Sequence, residues 1–188
     1  MVKTYSSMVS LGTQAPDFSL IDPLTQKTIH LERCHGSKAT VIMFICNHCP
    51  YVKHIASELP ALARDYVVQG VQFIAINSND QDTYPDDSPE HMKTIAKQWG
   101  IPFPYLFDPT QDVARAYHAT CTPDFFIFDS SLRLVYRGQL DDSRPGNAIP
   151  VTGASVRQAL DQLLHNQPIT TEQKPSMGCN IKWRVASQ

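Results

Sequence analysis

One continuous apolar run and a second, largely apolar one mark the centre of the chain. Residues 41–45 (Val-Ile-Met-Phe-Ile) and 71–77 (Val-Gln-Phe-Ile-Ala-Ile-Asn) are rich in β-branched and aromatic residues and have the length of strands. Runs of this kind are typical of central strands that are covered on both faces of a sheet. We therefore predict two buried strands at these positions.

Between these runs, apolar residues recur at helical spacing. Pro50 suits the first turn of the predicted helix, where its missing N–H costs nothing, and Pro60 inside the pattern predicts a kink. Strand, helix and strand with short connections form a βαβ unit, so we predict parallel strands with a right-handed crossover. The apolar positions of the helix are Val52, Ile55, Ala56, Leu59, Leu62, Ala63 and Tyr66.

The flanking segments continue the alternation of strands and helices. Before the first run, residues 19–21 and 27–31 predict an N-terminal β-hairpin around Asp22-Pro23. The whole pattern predicts an α/β fold with a central mixed sheet flanked by helices. After the second run, the predicted elements are a helix from Ser88 to Gly100, an edge strand or extended segment at 101–107, a short helix after Asp108-Pro109, a strand hairpin at 125–136 and a last helix at 156–164.

Length and composition indicate one soluble globular domain. The chain has 188 residues, of which 42% are apolar and 18% charged, and a formal net charge of −2 gives no reason to expect nucleic acid or a membrane as partner. The polar segment 1–10 lacks the apolar core of a secretory signal, so we expect a cytoplasmic protein. We predict a single domain over residues 1–188, with a core at about 11–165 and an irregular, packed tail at about 166–188.

The candidate chemistry lies where the first apolar run meets the helix. Cys46 and Cys49 form a C-x-x-C motif at this junction, and Cys34, Cys121 and Cys179 bring the number of cysteines to five. An odd number of cysteines over this length does not form a disulfide framework. In a reducing compartment, a close pair is typical of redox chemistry or of metal binding.

Three features predict a low pKa for the Cys46 thiol. It lies at the predicted start of the helix, where N–H groups and the helix dipole favour an anion. His48 can add positive charge, and no Asp or Glu occurs between Glu32 and Glu58. We therefore predict that an exposed Cys46 attacks a disulfide and that a more buried Cys49, about one turn further on, resolves the mixed disulfide.

Two other interpretations of the motif stay open. Zinc could be held by the two cysteines with further ligands from His48, His54, His35 and Cys34, although a structural zinc site usually needs two such motifs and the chain has one. The other interpretation is a pair of core cysteines without a function. The position between strand and helix favours redox chemistry over both.

Longer strings around these residues resemble a known superfamily. The strand that ends in C-x-x-C-P, the helix with an internal proline, the Thr122-Pro123 before a strand hairpin and the last helix follow the order of the thioredoxin-like superfamily. Residues 15–18 (Ala-Pro-Asp-Phe) resemble the entry of its redoxin branch, the alkyl hydroperoxide reductase/thiol-specific antioxidant type. The strings at 46–54 (CNHCPYVKH), 121–126 (CTPDFF) and 175–179 (PSMGC) resemble a peroxiredoxin-like/thioredoxin group.

The resemblance implies a thioredoxin-like fold and roles for several residues. It implies a cis peptide bond at Pro123 and a Thr122 backbone that pairs with a bound peptide. It also implies that His48 stabilises the reduced thiolate, as in the C-P-H-C motif of DsbA-type oxidases. Cys121 should lie near the C-x-x-C motif, and for both Cys121 and Cys179 two interpretations stay open, an extra redox thiol or a buried packing residue.

We predict a thiol–disulfide oxidoreductase that exchanges disulfides with a protein or a low-molecular-weight partner and uses neither an organic cofactor nor a metal. The alternatives are a peroxiredoxin-like thiol peroxidase with an antioxidant role and a redox-sensing or zinc-binding module without enzymatic activity. The peroxiredoxin pattern P-x-x-x-[TS]-x-x-C places Ile42 at the proline when Cys49 is aligned, and Ala39 when Cys46 is aligned. Because both alignments fail, the sequence favours disulfide exchange over peroxide reduction.

Overall fold

Strands and helices alternate along the chain, as the pattern predicts. The structure is a computed structural model, and it describes residues 3–185. The strands are β1 (Lys3–Tyr5), β2 (Ser19–Asp22), β3 (Lys27–His30), β4 (Ala39–Phe44), β5 (Val71–Asn77), β6 (Tyr105–Phe107), β7 (Cys121–Thr122), β8 (Asp124–Asp129), β9 (Leu134–Gly138) and β10 (Met177–Asn180). The helices are α1 (Leu31–Cys34), α2 (Pro50–Ile55), α3 (Glu58–Val67), α4 (Pro89–Trp99), α5 (Asp112–Ala116) and α6 (Ala154–Leu164), with a 3-10 helix at Pro85–Asp87. Within the described residues, none of the helices has the length and apolar character of a membrane span.

A mixed sheet of seven strands forms the centre of the molecule, in the order β3-β2-β6-β5-β4-β8-β9. β4 pairs in parallel with β5, which confirms the predicted βαβ unit, and antiparallel with β8. All six residues of β4 are buried, as expected for a central strand with helices on both faces. The C-x-x-C motif follows directly after the end of this strand.

The side chains of β4 alternate between two hydrophobic clusters. Val41 and Met43 face a cluster that also contains buried residues of α2, α3, α4 and α6. Ile42 and Phe44 face a second cluster, to which α1 and α5 contribute Leu31 and Ala114. Because successive residues of a strand point to opposite faces, one continuous apolar run supplies both clusters.

The predicted kink at Pro60 is a complete break between two helices. α2 ends at Ile55 and α3 begins at Glu58, so Pro60 lies in the first turn of α3. A proline has no N–H to donate to the carbonyl of the preceding turn, so the helical hydrogen bonds cannot continue through this position. The break leaves the C-x-x-C motif in front of a short, separate helix.

Of the two predictions for 101–107, the edge strand is wrong: residues 101–104 are neither strand nor helix, and residues 105–107 form β6. β6 pairs with β5 on one side and with β2 on the other, so it lies inside the sheet. Pro102 and Pro104 precede the strand, so neither has to donate an N–H within it, and the carbonyl oxygen of Pro104 accepts the N–H of Ala75 at 2.9 Å. The predicted N-terminal hairpin is confirmed as β2 and β3, and it joins the main sheet through the pairing of Ile21 with Phe107.

The C-terminal tail is irregular over most of its described residues, but not throughout, because it contains β10. This strand pairs antiparallel with β1 and with β7 and forms a second sheet of three strands. Its register places Cys179 opposite Thr122 and Asn180 opposite Cys121. A four-residue segment with glycine and asparagine has a low strand propensity, so its neighbours and not its own sequence determine the pairing.

Candidate active site

The C-x-x-C motif occupies the loop between β4 and α2. β4 ends at Phe44, and α2 begins at Pro50 with Cys49 as its N-cap residue. The prediction that Cys46 starts the helix is therefore wrong, because the backbone passes through three further residues before the helix begins. The structure places Cys49, and not Cys46, at the helix terminus.

Both sulfurs of the motif are buried. Cys46 and Cys49 are each 0% exposed, which contradicts the prediction of an exposed Cys46. β10 contributes to this burial, because Cys179 lies on it and its sulfur is 2.7 Å from Cys49 Sγ. The C-terminal strand thus brings a third thiol to the motif across 130 residues of sequence.

Thr122 contacts both sulfurs of the motif. Its Oγ1 lies 3.3 Å from Cys46 Sγ, and the Cys49 thiol donates to its carbonyl oxygen at 3.3 Å. The following peptide bond to Pro123 is cis, as the resemblance implies. In this structure the strand opposite Thr122 is β10 of the same chain, with Cys179 in register.

A buried carboxylate that the sequence analysis missed lies beside the motif. Asp87 ends the 3-10 helix that follows β5 and is 0% exposed. Its Oδ1 accepts a hydrogen bond from the backbone N–H of Asn47 at 2.7 Å, and its Oδ2 accepts one from the side chain of Asn79 at 2.8 Å. Because β4 and β5 are parallel, the loops after them meet at one edge of the sheet, and this topology could have pointed to the acidic loop after β5.

His48 pairs with the same carboxylate. Its Nδ1 lies 2.5 Å from Asp87 Oδ2, and its ring stacks on Tyr84 with the centroids 5.6 Å apart. The hydrogen bond to Asp87 raises the pKa of His48. Burial acts to raise the pKa of Asp87, but hydrogen bonds from His48 and Asn79 outweigh it and lower that pKa. The positive charge predicted to support a Cys46 thiolate is therefore matched by a buried negative charge.

The two thiols of the motif have opposite pKa shifts. Burial raises the pKa of Cys46, and the hydrogen bond with Cys49 and the charge of Asp87 act in the same direction. Hydrogen bonds from the Cys179 and Cys46 thiols lower the pKa of Cys49. The buried surroundings of Cys46 therefore do not match the low pKa predicted for its thiol, while the order of attack stays a prediction.

Cys121 and Cys34 lie apart from the group formed by Cys46, Cys49 and Cys179. Cys121 is buried, and its thiol donates to the carbonyl oxygen of Pro123 at 3.9 Å. Neighbouring residues of a strand point to opposite faces, so the contact of Thr122 with the motif directs Cys121 away from it. Burial raises the pKa of the Cys121 thiol and raises that of Cys34 to about 11.

One group of three side chains in residues 3–185 has the spacing of metal ligands. Ligand atoms of Cys46, His48 and Asp87 all lie within 4.8 Å of one another. His54, a predicted extra ligand, instead lies with Nε2 2.7 Å from Ser143 Oγ. Thiolate, imidazole and carboxylate are all ligands that zinc accepts, so the zinc alternative now has a defined candidate site.

Asp87→Asn is expected to remove a pH-dependent part of the stability. The folded-state pKa of His48 is raised above an unfolded value of about 6.5, so its pairing stabilises the fold fully below about pH 6.5. This contribution is lost as the pH rises through the folded-state pKa. The free energy of unfolding in urea should therefore fall with rising pH in the parent protein and fall less steeply in Asp87→Asn, and the NMR titration of His48 should move to lower pH in the variant.

Asp86→Asn is the matched control for this change. Asp86 is the exposed neighbour of Asp87, and the network uses its backbone carbonyl, which accepts a hydrogen bond from Asn47 at 2.8 Å. This control should leave the pH dependence and the His48 titration as they are in the parent. An identical slope in the parent and in Asp87→Asn would contradict the pairing as its source.

The central sheet, the cis-proline and the cysteine pair after the central strand define a protein with a thioredoxin-like fold. Comparison with protein families matches residues 11–137 to the AhpC/TSA family. The chain therefore belongs to this family of the thioredoxin-like superfamily, which confirms the resemblance drawn from its motifs.

The chain is also similar to individual proteins. The chain is 28% identical over 129 residues to the thiol-disulfide oxidoreductase ResA of Halalkalibacterium halodurans, which covers 69% of this chain and 68% of the relative. A crystal structure of an uncharacterized conserved protein from Geobacillus kaustophilus is 58% identical, with a TM-score of 0.97 over 100% of this chain and 99% of that one. A putative thiol:disulfide interchange protein DsbE from Chlorobium tepidum, 20% identical, has the same fold, with a TM-score of 0.67 over 84% of this chain and 99% of that one.

Proposed function

We propose that the protein is a thiol–disulfide oxidoreductase whose redox couple is Cys46 and Cys49. The observation that carries the proposal is the meeting of both sulfurs at Thr122, beside the cis-proline: Cys46 Sγ lies 3.3 Å from Thr122 Oγ1, and the Cys49 thiol donates to the Thr122 carbonyl oxygen at 3.3 Å. We assign the attack to Cys49, the N-cap residue of α2, and the resolving step to Cys46. The ResA relatives, which carry thiol–disulfide oxidoreductase in their names, support this reaction class.

The reaction consists of two exchanges. The Cys49 thiolate attacks one sulfur of a substrate disulfide, forms a mixed disulfide and releases the first substrate thiolate. Cys46 then transfers its proton to a leaving thiolate, attacks Cys49 Sγ and releases the second substrate thiol. Two electrons pass from the protein to the substrate, and the protein is left with a disulfide in place of two thiols. The reverse sequence oxidises a dithiol substrate.

Thr122 supports these steps by position. Its hydroxyl lies beside Cys46 and its carbonyl oxygen accepts the Cys49 S–H, so it holds both sulfurs on one side of the cis-proline. The Thr122 carbonyl oxygen does not stabilise a Cys49 thiolate, but it accepts a hydrogen bond from the Cys49 S–H group when Cys49 is protonated. The residue is thus a positioning residue for the pair.

Stoichiometric disulfide exchange tests the proposal. Protein reduced with dithiothreitol and freed from it is mixed with glutathione disulfide or with insulin, and the thiols released and the protein disulfides formed are both counted. We expect two protein thiols lost for each substrate disulfide reduced, and Cys34→Ser should behave as the parent does. A protein whose thiols are unchanged after incubation with either substrate would overturn the proposal.

The same preparation tests the alternatives. A peroxidase consumes hydrogen peroxide catalytically when dithiothreitol recycles it, and a zinc-binding module purifies with about one zinc ion per chain and loses reactivity towards thiol reagents when zinc is added. We expect peroxide consumption to be slower than disulfide reduction and the reduced protein to exchange disulfides without metal.

The proposal also includes the partner and the location of the protein. The partner is a low-molecular-weight or protein disulfide, and the location is the cytoplasm.

A further inference from the structure

The C-terminal strand β10 lies over the C-x-x-C motif, where Gly178 packs closely against the backbone of Thr122. β10 runs antiparallel to β7, and Cys179 lies opposite Thr122. A Cβ atom at Gly178 would lie 1.9 Å from the carbonyl oxygen of Thr122, so only glycine allows the two strands to approach this closely. The close approach at Gly178 brings the neighbouring Cys179 to the motif.

Cys49 lies between two thiols. It makes hydrogen bonds with both Cys46 and Cys179, and its sulfur is 2.7 Å from Cys179 Sγ. Cys179 is 2% exposed, so a disulfide partner from solution reaches neither sulfur while β10 is in place. In this closed arrangement, Cys179 is therefore the thiol best placed to react with Cys49 when Cys49 is bonded to Cys46.

We propose that Cys179 is a third redox thiol, and that the oxidised protein holds its disulfide between Cys49 and Cys179 and keeps Cys46 as a thiol. The inference rests on the proposed function, because the first disulfide has to be made at the C-x-x-C motif. It adds a residue of the tail to the reaction and gives β10 a covalent attachment that depends on the redox state.

The added step is an internal exchange without an external oxidant. Cys179 attacks Cys49 Sγ of the Cys46–Cys49 disulfide and gives up its proton as the new S–S bond forms and the Cys46–Cys49 bond breaks. Cys46 leaves as a thiolate and takes up the proton that Cys179 gave up. One disulfide and one thiol are present before and after the step, so no electrons are gained or lost.

The product attaches the C-terminal strand to the active-site loop. With a Cys49–Cys179 bond, β10 cannot leave β7, and Cys46 stays covered until a reductant breaks the bond. With both sulfurs reduced, the strand is held only by hydrogen bonds and packing and can separate from β7. Oxidation therefore locks the closed arrangement that the structure shows, and reduction permits the site to open, which makes the tail a redox-controlled cover.

Peptide mapping of the wild-type protein tests the inference. Trypsin leaves Cys46 and Cys49 together in peptide 39–53 and Cys179 in peptide 158–182, because the bond between Lys174 and Pro175 resists cleavage. The protein is oxidised with one equivalent of glutathione disulfide, alkylated at its thiols, digested and analysed by mass. We expect peptide 39–53 joined to 158–182 through Cys49, with Cys46 alkylated.

The other results of this mapping have different meanings. Peptide 39–53 lower by two hydrogens, with Cys179 alkylated, overturns the inference and leaves the proposed function in place. Alkylation of all three thiols after oxidation overturns the proposed function as well. Because the mapping uses the wild-type chain, it does not depend on the folding of any variant.

Two variants separate the thiol from the strand that carries it. Cys179→Ser should leave the Cys46–Cys49 disulfide as the oxidised form. The ratio of reduced to oxidised glutathione at which half of the protein is oxidised should then change by about tenfold or more, because the variant forms the Cys46–Cys49 bond and the parent the Cys49–Cys179 bond. Gly178→Ala keeps all five thiols but forces β10 away from Thr122, so Cys49 in the reduced protein should be alkylated at least about tenfold faster, with less cross-link formed. Cys121→Ser, another buried cysteine, is the control for both measurements. Equal half-oxidation ratios in Cys179→Ser and the parent would overturn the inference.

Discussion

Cys49→Ser should lose disulfide exchange almost completely, by about a thousandfold or more in the rate of reaction with glutathione disulfide, because the attacking sulfur is removed. Of the two thiols of the motif, Cys49 is the one whose pKa is lowered, through hydrogen bonds from Cys179 and Cys46. A serine hydroxyl in its place stays protonated and cannot attack sulfur. The rate is measured on reduced protein by the release of glutathione thiol under single-turnover conditions.

Cys46→Ser distinguishes the two possible assignments of the attacking sulfur. It retains Cys49, so its first exchange should proceed within about tenfold of the parent rate, while its ability to complete the turnover through Cys46 is lost. Cys34→Ser controls for the loss of any cysteine, because Cys34 lies at the end of α1. Retention of the fast first step in Cys49→Ser and its loss in Cys46→Ser would restore the order of attack predicted from sequence.

Asp124→Asn should lower the free energy of unfolding by about 3–5 kcal/mol, because it leaves the charge of Arg137 buried without a counter-ion. Asp124 follows the cis-proline, and both side chains of the pair are 0% exposed, with Arg137 Nη2 3.0 Å from Asp124 Oδ2. Arg137 also donates to the carbonyl oxygen of His118 at 2.7 Å, and its guanidinium lies 4.4 Å from the ring centroid of Phe126. Burial raises the pKa of Asp124 to about 7, so the loss is measured by urea unfolding at about pH 8.5, where this carboxylate is charged.

A second variant distinguishes the buried charge from a general defect of packing. Asp124→Leu combined with Arg137→Met removes both charges and keeps apolar volume, so it should be more stable than Asp124→Asn alone. Glu90→Gln, in an exposed ion pair with Lys93 on α4, should change the stability little, since solvent screens such pairs. If the double variant is less stable than Asp124→Asn, the cost does not come from the isolated charge of Arg137.

The apolar runs of strand length and the apolar residues at helical spacing predict most of the fold. The apolar run before Cys46 and the helical spacing after Pro50 are local patterns, and they give the βαβ unit and its parallel pairing because these depend on short connections and handedness. The predictions for β6 and β10 fail for one shared reason. Whether a short segment is an edge strand, an inner strand or an irregular tail depends on which strands lie beside it, and that is not a local property.

The sequence by itself determines that two thiols lie three residues apart after a buried strand, that a Thr-Pro pair precedes the next hairpin, and that the fold is thioredoxin-like. These features are encoded in contiguous residues. The tertiary structure alone decides the burial of each thiol and the groups that contact it. Asp87 and Cys179 lie far from the motif along the chain, yet in the fold they touch His48 and Cys49. Because a pKa depends on burial and on charges and hydrogen bonds a few ångströms away, the roles of Cys46 and Cys49 depend on these distant residues and not on the C-x-x-C spacing.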